Sequence, residues 1–454
     1  MSRRYHLVGI EGVGMNALAE ALFDLGAEVS GCDLAPGKNA ERLQQSGIPV
    51  HRGHDPAHLA AADLLVISNA IPESHPEVAA ARARGIPVER RIETLARVLA
   101  ARKSLGVSGS HGKTTTSAML ALVLEAGGKD PMALVGARVP GWRGGYRPGA
   151  GPVVAEIDES DRRFPKARVD LAVVTNLEEE HVGDPQKPTY HPSFEALKQA
   201  MAAWLAASEM VVYPAGDETL RPLVPPKRAA LNFGIDRGEV RAEKLAVQPG
   251  GTRFELWAGE YRLGEVALAV PGRHNVKNAL AAAAAGLLFR VAPDAVLEGL
   301  AAFRGTGRRF EPVGRRGGAL IFDDYAHHPT ELAATLEAAR GLGRRVRAVF
   351  QPHRYLRTAR FFDEFAHALR LADEALVLEV YAAGEEPLPG VSGRALAERA
   401  RELGANARYL EPEEALRYLA ETLDEGDLLI TLGAGDVGKL ARTLANEEKT
   451  VPWR

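Results

Sequence analysis

Cys32 is the only cysteine in 454 residues, so no disulfide can form within the chain and a reducing compartment is expected. An excess of one charge sign is missing too. Lys and Arg number 56 and Asp and Glu 59, a formal net charge of -3. That balance lacks the broad basic field of a general nucleic-acid binder, and no nucleic-acid partner is expected. Long apolar runs are also absent. The longest, the alanine-rich Ala279–Phe289, falls well short of the roughly 20 residues that cross a bilayer. It reads as a buried helix, and no membrane partner is expected. Met1-Ser2-Arg3-Arg4-Tyr5-His6 leads straight into a strand with no apolar leader, which points to the cytoplasm. No internal repeat, low-complexity tract or long linker interrupts the chain.

What is present is ordinary for a folded protein: 46% apolar and 25% charged residues. The length calls for about two to four domains. In the first hundred residues strand and helix alternate. His6–Ile10 reads as a strand, Met15–Leu25 as a helix, Glu28–Cys32 and Asp63–Ser68 as strands, and Ile92–Ala101 as a closing helix. This is the pattern of a parallel, doubly wound sheet. Its first turn, Gly9-Ile10-Glu11-Gly12-Val13-Gly14-Met15, with Asp33 at the end of the next strand, is similar to a dinucleotide-binding turn. The glycine order is G-x-x-G-x-G, so a diphosphate ligand is expected rather than NAD in particular.

A second block opens near Arg102 with Gly109-Ser110-His111-Gly112-Lys113-Thr114-Thr115-Thr116, between a strand (Ser104–Ser108) and a helix (Ser117–Leu124). Such a turn aims backbone N–H groups, a lysine ammonium and a helix N-terminus at one point, where phosphate binds. The hydroxyl of Thr114 is placed for the Mg²⁺ that accompanies nucleotide phosphates. Glu156 closes the strand Val153–Ile157 and can reach the same ion, and His181 lies just beyond the strand Leu171–Thr175. Asp158, Glu159 and Asp161 read as a solvated acidic loop, and Val139–Pro152, rich in Gly and Pro, as a mobile surface loop. Strand-like stretches at Arg253–Trp257 and Val266–Val270 precede the alanine-rich helix.

A third block begins near Pro312, with strands at Leu320–Asp323, Val346–Phe350, Ala375–Val380 and Leu428–Leu432 and helices at Phe361–Leu371 and Ala395–Leu403. Two strand-end loops carry chemistry: Asp324-Tyr325-Ala326-His327-His328 and His353-Arg354-Tyr355-Leu356-Arg357. Ligands bind at strand carboxyl ends in open α/β sheets. Arg354 and Arg357 could hold a carboxylate or phosphate, and Arg308-Arg309 in the preceding Gly-rich turn present guanidinium forks suited to phosphate oxygens.

Read in order, GIEGVGM, GSHGKTTT, AEIDESD, TNLEEEH, PGRHNVKNA, FRGTGRRFE, DDYAHHPTE, FQPHRYLRT, VYAAGEEP and GAGD resemble the segments of the Mur ligase family, the ATP-dependent ligases of peptidoglycan precursor synthesis, over nearly the whole chain. The resemblance implies a three-domain α/β fold: a Rossmann-like UDP-sugar domain (1–102), a central P-loop ATPase-type domain with extra strands (103–311) and a Rossmann-like amino-acid domain (312–454). FQPHRYLRT and DDYAHHPTE are most similar to the members that join L-alanine to the lactyl carboxylate of UDP-N-acetylmuramate through an acyl phosphate. The substrates implied are therefore UDP-N-acetylmuramate, L-alanine and ATP. The cofactor is Mg²⁺, two ions, for which Mn²⁺ can substitute. Monomer and dimer both stay open.

At matching positions the resemblance also implies roles. Gly9, Gly12, Val13, Gly14, Met15 and Asp33 would hold the UDP-sugar. Gly109, Ser110, His111, Gly112, Lys113, Thr114 and Thr115 would hold the ATP phosphates. Asn275 and Asn278 would contact adenine, and Arg309 and Asp324 would also reach the nucleotide. Thr114, Glu156 and His181 would be metal ligands. Tyr325, His327, His353, Arg354 and Arg357 would line the amino-acid site, and Lys113, His181, Arg309 and His327 would serve catalysis. Closure of the third domain on the second is the expected gate. Departures from the family pattern are Ser110 for Thr, Ile157 for Ala, Glu180 for Asp, Ala326 for Gly, and a longer Val182–Ser193. Three other readings remain open: a related ligase that attaches a peptide or another amino acid, an oxidoreductase using the first domain alone, and a catalytically silent UDP-sugar-binding protein.

Overall fold

The computed structural model describes residues 3–180, 182–183, 189–226, 228–248 and 250–445. Three sheets organise them. The first comprises β1 (Arg4–Val8), β2 (Glu28–Asp33), β3 (Val50–Arg52), β4 (Leu64–Ile67) and β5 (Val88–Arg90), all parallel, in the order β3-β2-β1-β4-β5. Helices α1 (Val13–Asp24), α2 (Lys38–Gln45), α3 (Pro76–Ala83) and α4 (Arg91–Ala100) complete the doubly wound layer. Side chains alternate between its faces. Leu7, Leu64 and Val66 enter one apolar core, and Val8, Leu65 and Ile67 the other. The first strand ends at Val8, short of the expected Ile10. Gly9 takes φ +78, and the N–H groups of Gly9 and Ile10 both turn to the carbonyl of Cys32.

The second sheet has ten strands: β6 (Ser104–Ser108), β7 (Met132–Leu134), β8 (Tyr146–Arg147), β9 (Val153–Glu156), β10 (Leu171–Val174), β11 (Met210–Pro214), β12 (Ala229–Ile235), β13 (Val240–Gln248), β14 (Gly251–Ala258) and β15 (Tyr261–Leu268). Their order is β15-β14-β13-β12-β11-β10-β6-β9-β7-β8. Around it run α5 (Lys113–Ala126), α6 (Phe194–Ala207), α7 (Arg273–Leu288) and α8 (Pro293–Ala302). Ala279 to Ala285 of α7 are all buried, as the alanine-rich run suggests. The stretch Val139–Pro152 departs from the loop expected of it. Tyr146 is fully buried in β8, which pairs antiparallel with β7, and its hydroxyl donates to Asp24 Oδ2 of α1 at 2.8 Å. One apolar core therefore runs from Leu7 and Leu18 through Leu134 and Tyr146 to Trp204. By contact density the first sheet and most of the second form one unit, up to Leu245 with Phe254–Ala267 and Val276–Arg304.

The other unit comprises Ala246–Arg253, Leu268–Asn275 and the chain from Gly305 onward. It carries the third sheet: β16 (Glu311–Arg316), β17 (Ala319–Asp324), β18 (Arg345–Phe350), β19 (Glu374–Val377), β20 (Ala407–Tyr409) and β21 (Asp427–Leu432), in the order β16-β17-β21-β18-β19-β20. Only the edge strand β16 is antiparallel to its neighbour. Helix α9 (Pro329–Arg340) follows β17. The helix expected over 361–371 is α11 (Phe362–Leu369), and a short helix that was not expected, α10 (Tyr355–Arg360), precedes it. Among the described residues no helix is long and apolar enough to cross a membrane.

Candidate active site

The turn between β6 and α5 has the shape that phosphate binding requires. Gly109 (φ +128) and Gly112 (φ +82) adopt conformations that side chains other than glycine's rarely enter. Neither position has room for more. A Cβ on Gly109 would lie 2.3 Å from Thr175 Oγ1, and one on Gly112 the same 2.3 Å from Asn278 Oδ1. The end of β10 moulds the turn. Ser110 N–H donates to the Asn176 carbonyl at 3.3 Å, and His111 N–H to Asn176 Oδ1 at 2.9 Å. Asn176 Nδ2 and Thr175 Oγ1 both donate to the His111 carbonyl, at 3.0 and 2.5 Å. Ser110 Oγ accepts from Glu178 N–H at 2.9 Å. Helix α5 has no side-chain cap and no acidic residue in its first turn, so its N-terminus is electrostatically open to an anion.

Lys113 begins that helix. Its ammonium donates to the carbonyls of Gly109 and Ser110, at 2.5 and 3.0 Å, and pairs with Glu159 at 2.9 Å. Burial opposes the charge of Lys113, but the carboxylates of Glu159, Asp158 and Glu156 overcome it and hold the amine above its ordinary range. At Glu159 the balance reverses: burial outweighs the single ammonium and pushes the carboxyl up to about 7. Glu159 and Asp161 are each only 2% exposed, so of the acidic residues expected in a solvated loop these two are instead packed inside, while Asp158 is half-buried. A run of acidic residues after a strand gives no sign of which of its members turns inward.

Thr114 Oγ1 donates to Glu156 Oε2 at 2.7 Å, and Gly136 N–H donates to the same oxygen at 2.7 Å. A hydroxyl and a carboxylate that converge beside a phosphate turn are the oxygen donors Mg²⁺ prefers, so the residues present fit that ion. His181 falls outside the described residues. Asn278, expected at the adenine, accepts from the Thr116 hydroxyl at 3.3 Å. Thr115 is buried.

A cavity of about 540 Å³ in the same unit is lined by Gly9, Gly12, Val13, Gly14, Met15 and Asp33 and also by Gly136, Glu156 and Asp158. Helix α1 opens on Gly12, with no side-chain cap and no acidic residue in its first turn. The Asp33 carboxylate accepts from the N–H groups of Glu11 and Ala35, each at 3.1 Å, which fixes the turn around the cavity mouth. Arg91 also lines the cavity. Its guanidinium lies so close to Gly14 that a Cβ there would stand 3.3 Å from Nη1. Arg91, His54, Ser68 and Asn69 were not singled out in the sequence. The available signal was position, since Ser68 and Arg91 each follow the last residue of a parallel strand.

In the second unit the loops after β17 and β18 gather their own set. Asp324 receives the N–H groups of Phe310 and Ala326, each at 2.7 Å, and burial raises its carboxyl to about 6. Of the two arginines in the preceding turn, Arg308 (φ +55) turns inward to Asp323 Oδ2 at 3.2 Å and the Gly433 carbonyl at 2.5 Å. Arg309 lies 3.3 Å from Glu331, and both guanidinium groups face the Tyr325 ring, at 5.0 and 5.2 Å. His327 Nδ1 is 3.0 Å from the Tyr325 carbonyl, which only accepts, so Nδ1 carries the proton and Nε2 is the basic nitrogen. Burial holds the imidazole well below the ordinary histidine value, with Glu331 opposing and Arg357 assisting.

The His327 and His353 rings are 6.2 Å apart, His353 stacks on Tyr381 at 5.5 Å, and Arg357 donates to His353 Nδ1 at 3.4 Å. Arg354 (φ +73) is buried against Glu385, an ion pair the sequence did not suggest. Asn275 Nδ2 donates to the Pro271 carbonyl at 2.7 Å.

Comparison with known proteins places the chain among relatives along its whole length. The descriptions that match are "Mur ligase family, catalytic domain" over residues 4–103, "Mur ligase middle domain" over 107–286 and "Mur ligase, glutamate ligase domain" over 308–435. A UDP-N-acetylmuramate–L-alanine ligase of Deinococcus radiodurans is 44% identical, covering 97% of this chain and 93% of the relative. One of Desulfosudis oleivorans is 41% identical, covering 98% and 99%. The crystal structure of the UDP-N-acetylmuramate–alanine ligase of Thermotoga maritima superposes with a TM-score of 0.83 at 30% identity, covering 98% of both chains.

Proposed function

The chain belongs to the Mur ligase family, and we propose that it joins L-alanine to the lactyl carboxylate of UDP-N-acetylmuramate with release of ADP and phosphate. One observation carries this reading. A single cavity is lined by a glycine turn that opens an uncapped helix and by Glu156, whose carboxylate accepts from the Thr114 hydroxyl of the phosphate turn. A sugar nucleotide held by its diphosphate over Gly12–Gly14 and Arg91 would extend toward Glu156. That is where the phosphate turn presents Lys113.

Thr114 and Glu156 would hold Mg²⁺, which when bound supplies charge neutralisation on the phosphates. The rest falls to the chain. The backbone N–H groups of 112–114 and the Lys113 ammonium receive the nucleotide phosphates, and the positive end of α5 favours the charge that builds as phosphate moves to the carboxylate. Arg309 is the candidate for a further phosphate contact, and Asn275 and Asn278 for the adenine.

In the second unit, Arg357 beside His353 offers a cation to the amino-acid carboxylate. His327, kept neutral by burial, is the candidate to take the proton that the L-alanine ammonium must lose before it attacks. Tyr325 and Arg354 shape this pocket. We assign the UDP-sugar to 1–102, ATP to 103–311 and the amino acid to 312–454, with the cytoplasm as the site of action.

Lys113→Ala tests the assignment. ADP release that depends on both UDP-N-acetylmuramate and L-alanine should fall by at least about 10²–10³-fold. Calorimetric binding of the UDP-sugar should survive. Equal loss of both would refute the division of labour, and faster turnover with glycine, L-serine or a tripeptide would reassign the amino substrate.

A further inference from the structure

The first sheet contains a second constellation that none of the ligase chemistry uses. The thiol of Cys32, one ring nitrogen each of His6 and His58, and a carboxylate oxygen of Glu77 all lie within 4.8 Å of one another. His6, Cys32 and Glu77 are fully buried, and the His58 side chain is 15% exposed. They come from four separate places: β1, the end of β2, the short 3₁₀ turn Pro56–Leu59 and α3. We propose that these four side chains form a structural Zn²⁺ site.

Four lines of argument support it. The donor set of one sulfur, two imidazole nitrogens and one carboxylate oxygen is the mixture that tetrahedral zinc takes. Bonds of about 2.0–2.3 Å imply ligand–ligand edges near 3.3–3.8 Å. Two separations to one oxygen are near that, with Cys32 Sγ 3.4 Å and His58 Nδ1 2.9 Å from Glu77 Oε1. Charge is the second line. A thiolate and a carboxylate together neutralise Zn²⁺, so the filled site can be buried without a net charge.

The third line is the surroundings of the ligands. His6 Nδ1 pairs with Ser30 Oγ at 2.9 Å, and Asp55 N–H donates to Glu77 Oε1 at 2.9 Å, the outer contacts that aim metal ligands. The last is an orphan. His6 Nε2 is buried with no hydrogen-bond partner among the described residues. A hydrogen-bonded cluster around Glu77 would account for Cys32 and His58 but leaves that nitrogen unexplained.

The site would have a structural consequence near the UDP-sugar cavity. His54 Nδ1 is 3.2 Å from Cys32 Sγ, and His54 and Asp33, the residue after Cys32, both line that cavity. Zinc would tie the cavity wall to β1 and α3. It would also stabilise the fold by its own binding free energy.

Cobalt titration of the full-length, metal-stripped chain without nucleotide tests this directly. Cys32 is the only thiol, so thiolate-to-cobalt charge-transfer absorption can report nothing else. One Co²⁺ per chain should bring up that absorption together with tetrahedral visible bands, and Zn²⁺ should displace it and raise the melting temperature. Cys32→Ser should abolish the charge-transfer band, and His58→Gln should weaken binding at least about tenfold. Glu156→Gln, which alters the proposed Mg²⁺ site, should leave the band intact. Absence of charge-transfer absorption at one equivalent of Co²⁺ would overturn the proposal, as would an unchanged band in Cys32→Ser. Should Cys32→Ser fail to fold, undiminished cobalt affinity in His58→Gln would be just as decisive against it.

Discussion

Glu159→Gln sets two physical effects against each other. Removing one partner of a buried ion pair commonly destabilises by about 3–5 kcal/mol, because the other charge is stranded. Here Lys113 is not stranded: the carbonyls of Gly109 and Ser110 and the charges of Asp158 and Glu156 remain. Burial, by contrast, holds Glu159 at about 7 against an ordinary 4.5, even with the ammonium beside it. The folded state therefore binds the proton more tightly than the unfolded chain does. Stability contributed by the protonated carboxyl is fully present below about 4.5, is lost as pH rises toward 7, and stays lost above. At 1.36 kcal/mol per unit, ionising Glu159 inside the fold costs about 3 kcal/mol at pH 8. Glutamine, neutral throughout, escapes that penalty. Glu159→Gln should therefore melt higher than the parent at pH 8, by about 5 °C for a cooperative unit of roughly 290 residues, and the gap should close toward pH 4.5. Scanning calorimetry across that range reads the difference. A variant destabilised at pH 8, or a gap independent of pH, would refute the reasoning.

Two further outcomes follow from the same geometry. Arg91→Ala should raise the KM for the UDP-sugar about tenfold or more, the worth of a charge-assisted hydrogen bond, while kcat changes little; initial-rate kinetics separate the two. Gly112→Ala forces a Cβ to within 2.3 Å of Asn278 Oδ1 at φ +82. The left-handed backbone alone costs about 1–2 kcal/mol, so nucleotide affinity measured by calorimetry should drop while UDP-sugar affinity holds.

What could be read from the sequence was what is local. The parallel strands of the first and third sheets are apolar runs broken by Gly-rich turns, and a strand, glycines, lysine and a helix in succession specify the phosphate turn without help from elsewhere. Strands of three residues such as β3, β5 and β7 are too short for a period to register. Tyr146 was hidden for another reason. Its neighbours Gly144, Gly145 and Pro148 read as loop, and only packing against α1, with Asp24 as hydroxyl partner, draws it inside. Arg308 and Arg309 are indistinguishable as letters. The positive φ of Arg308 and the carboxylate of Asp323 decide which one is consumed by the fold.

Several features of the candidate site share a cause. Glu159 is buried beside a lysine at a net electrostatic penalty. Two helices, α1 and α5, begin without side-chain caps, and Gly109 and Gly112 hold left-handed conformations. Each is a locally unfavourable choice, and all stand at the carboxyl ends of parallel strands. Elsewhere Ser193 caps α6 and Ser392 caps the helix Gly393–Glu402 through their hydroxyls. On the proposed function, phosphate groups would lie at the N-termini of α1 and α5 and give Lys113 an anionic partner beside Glu159.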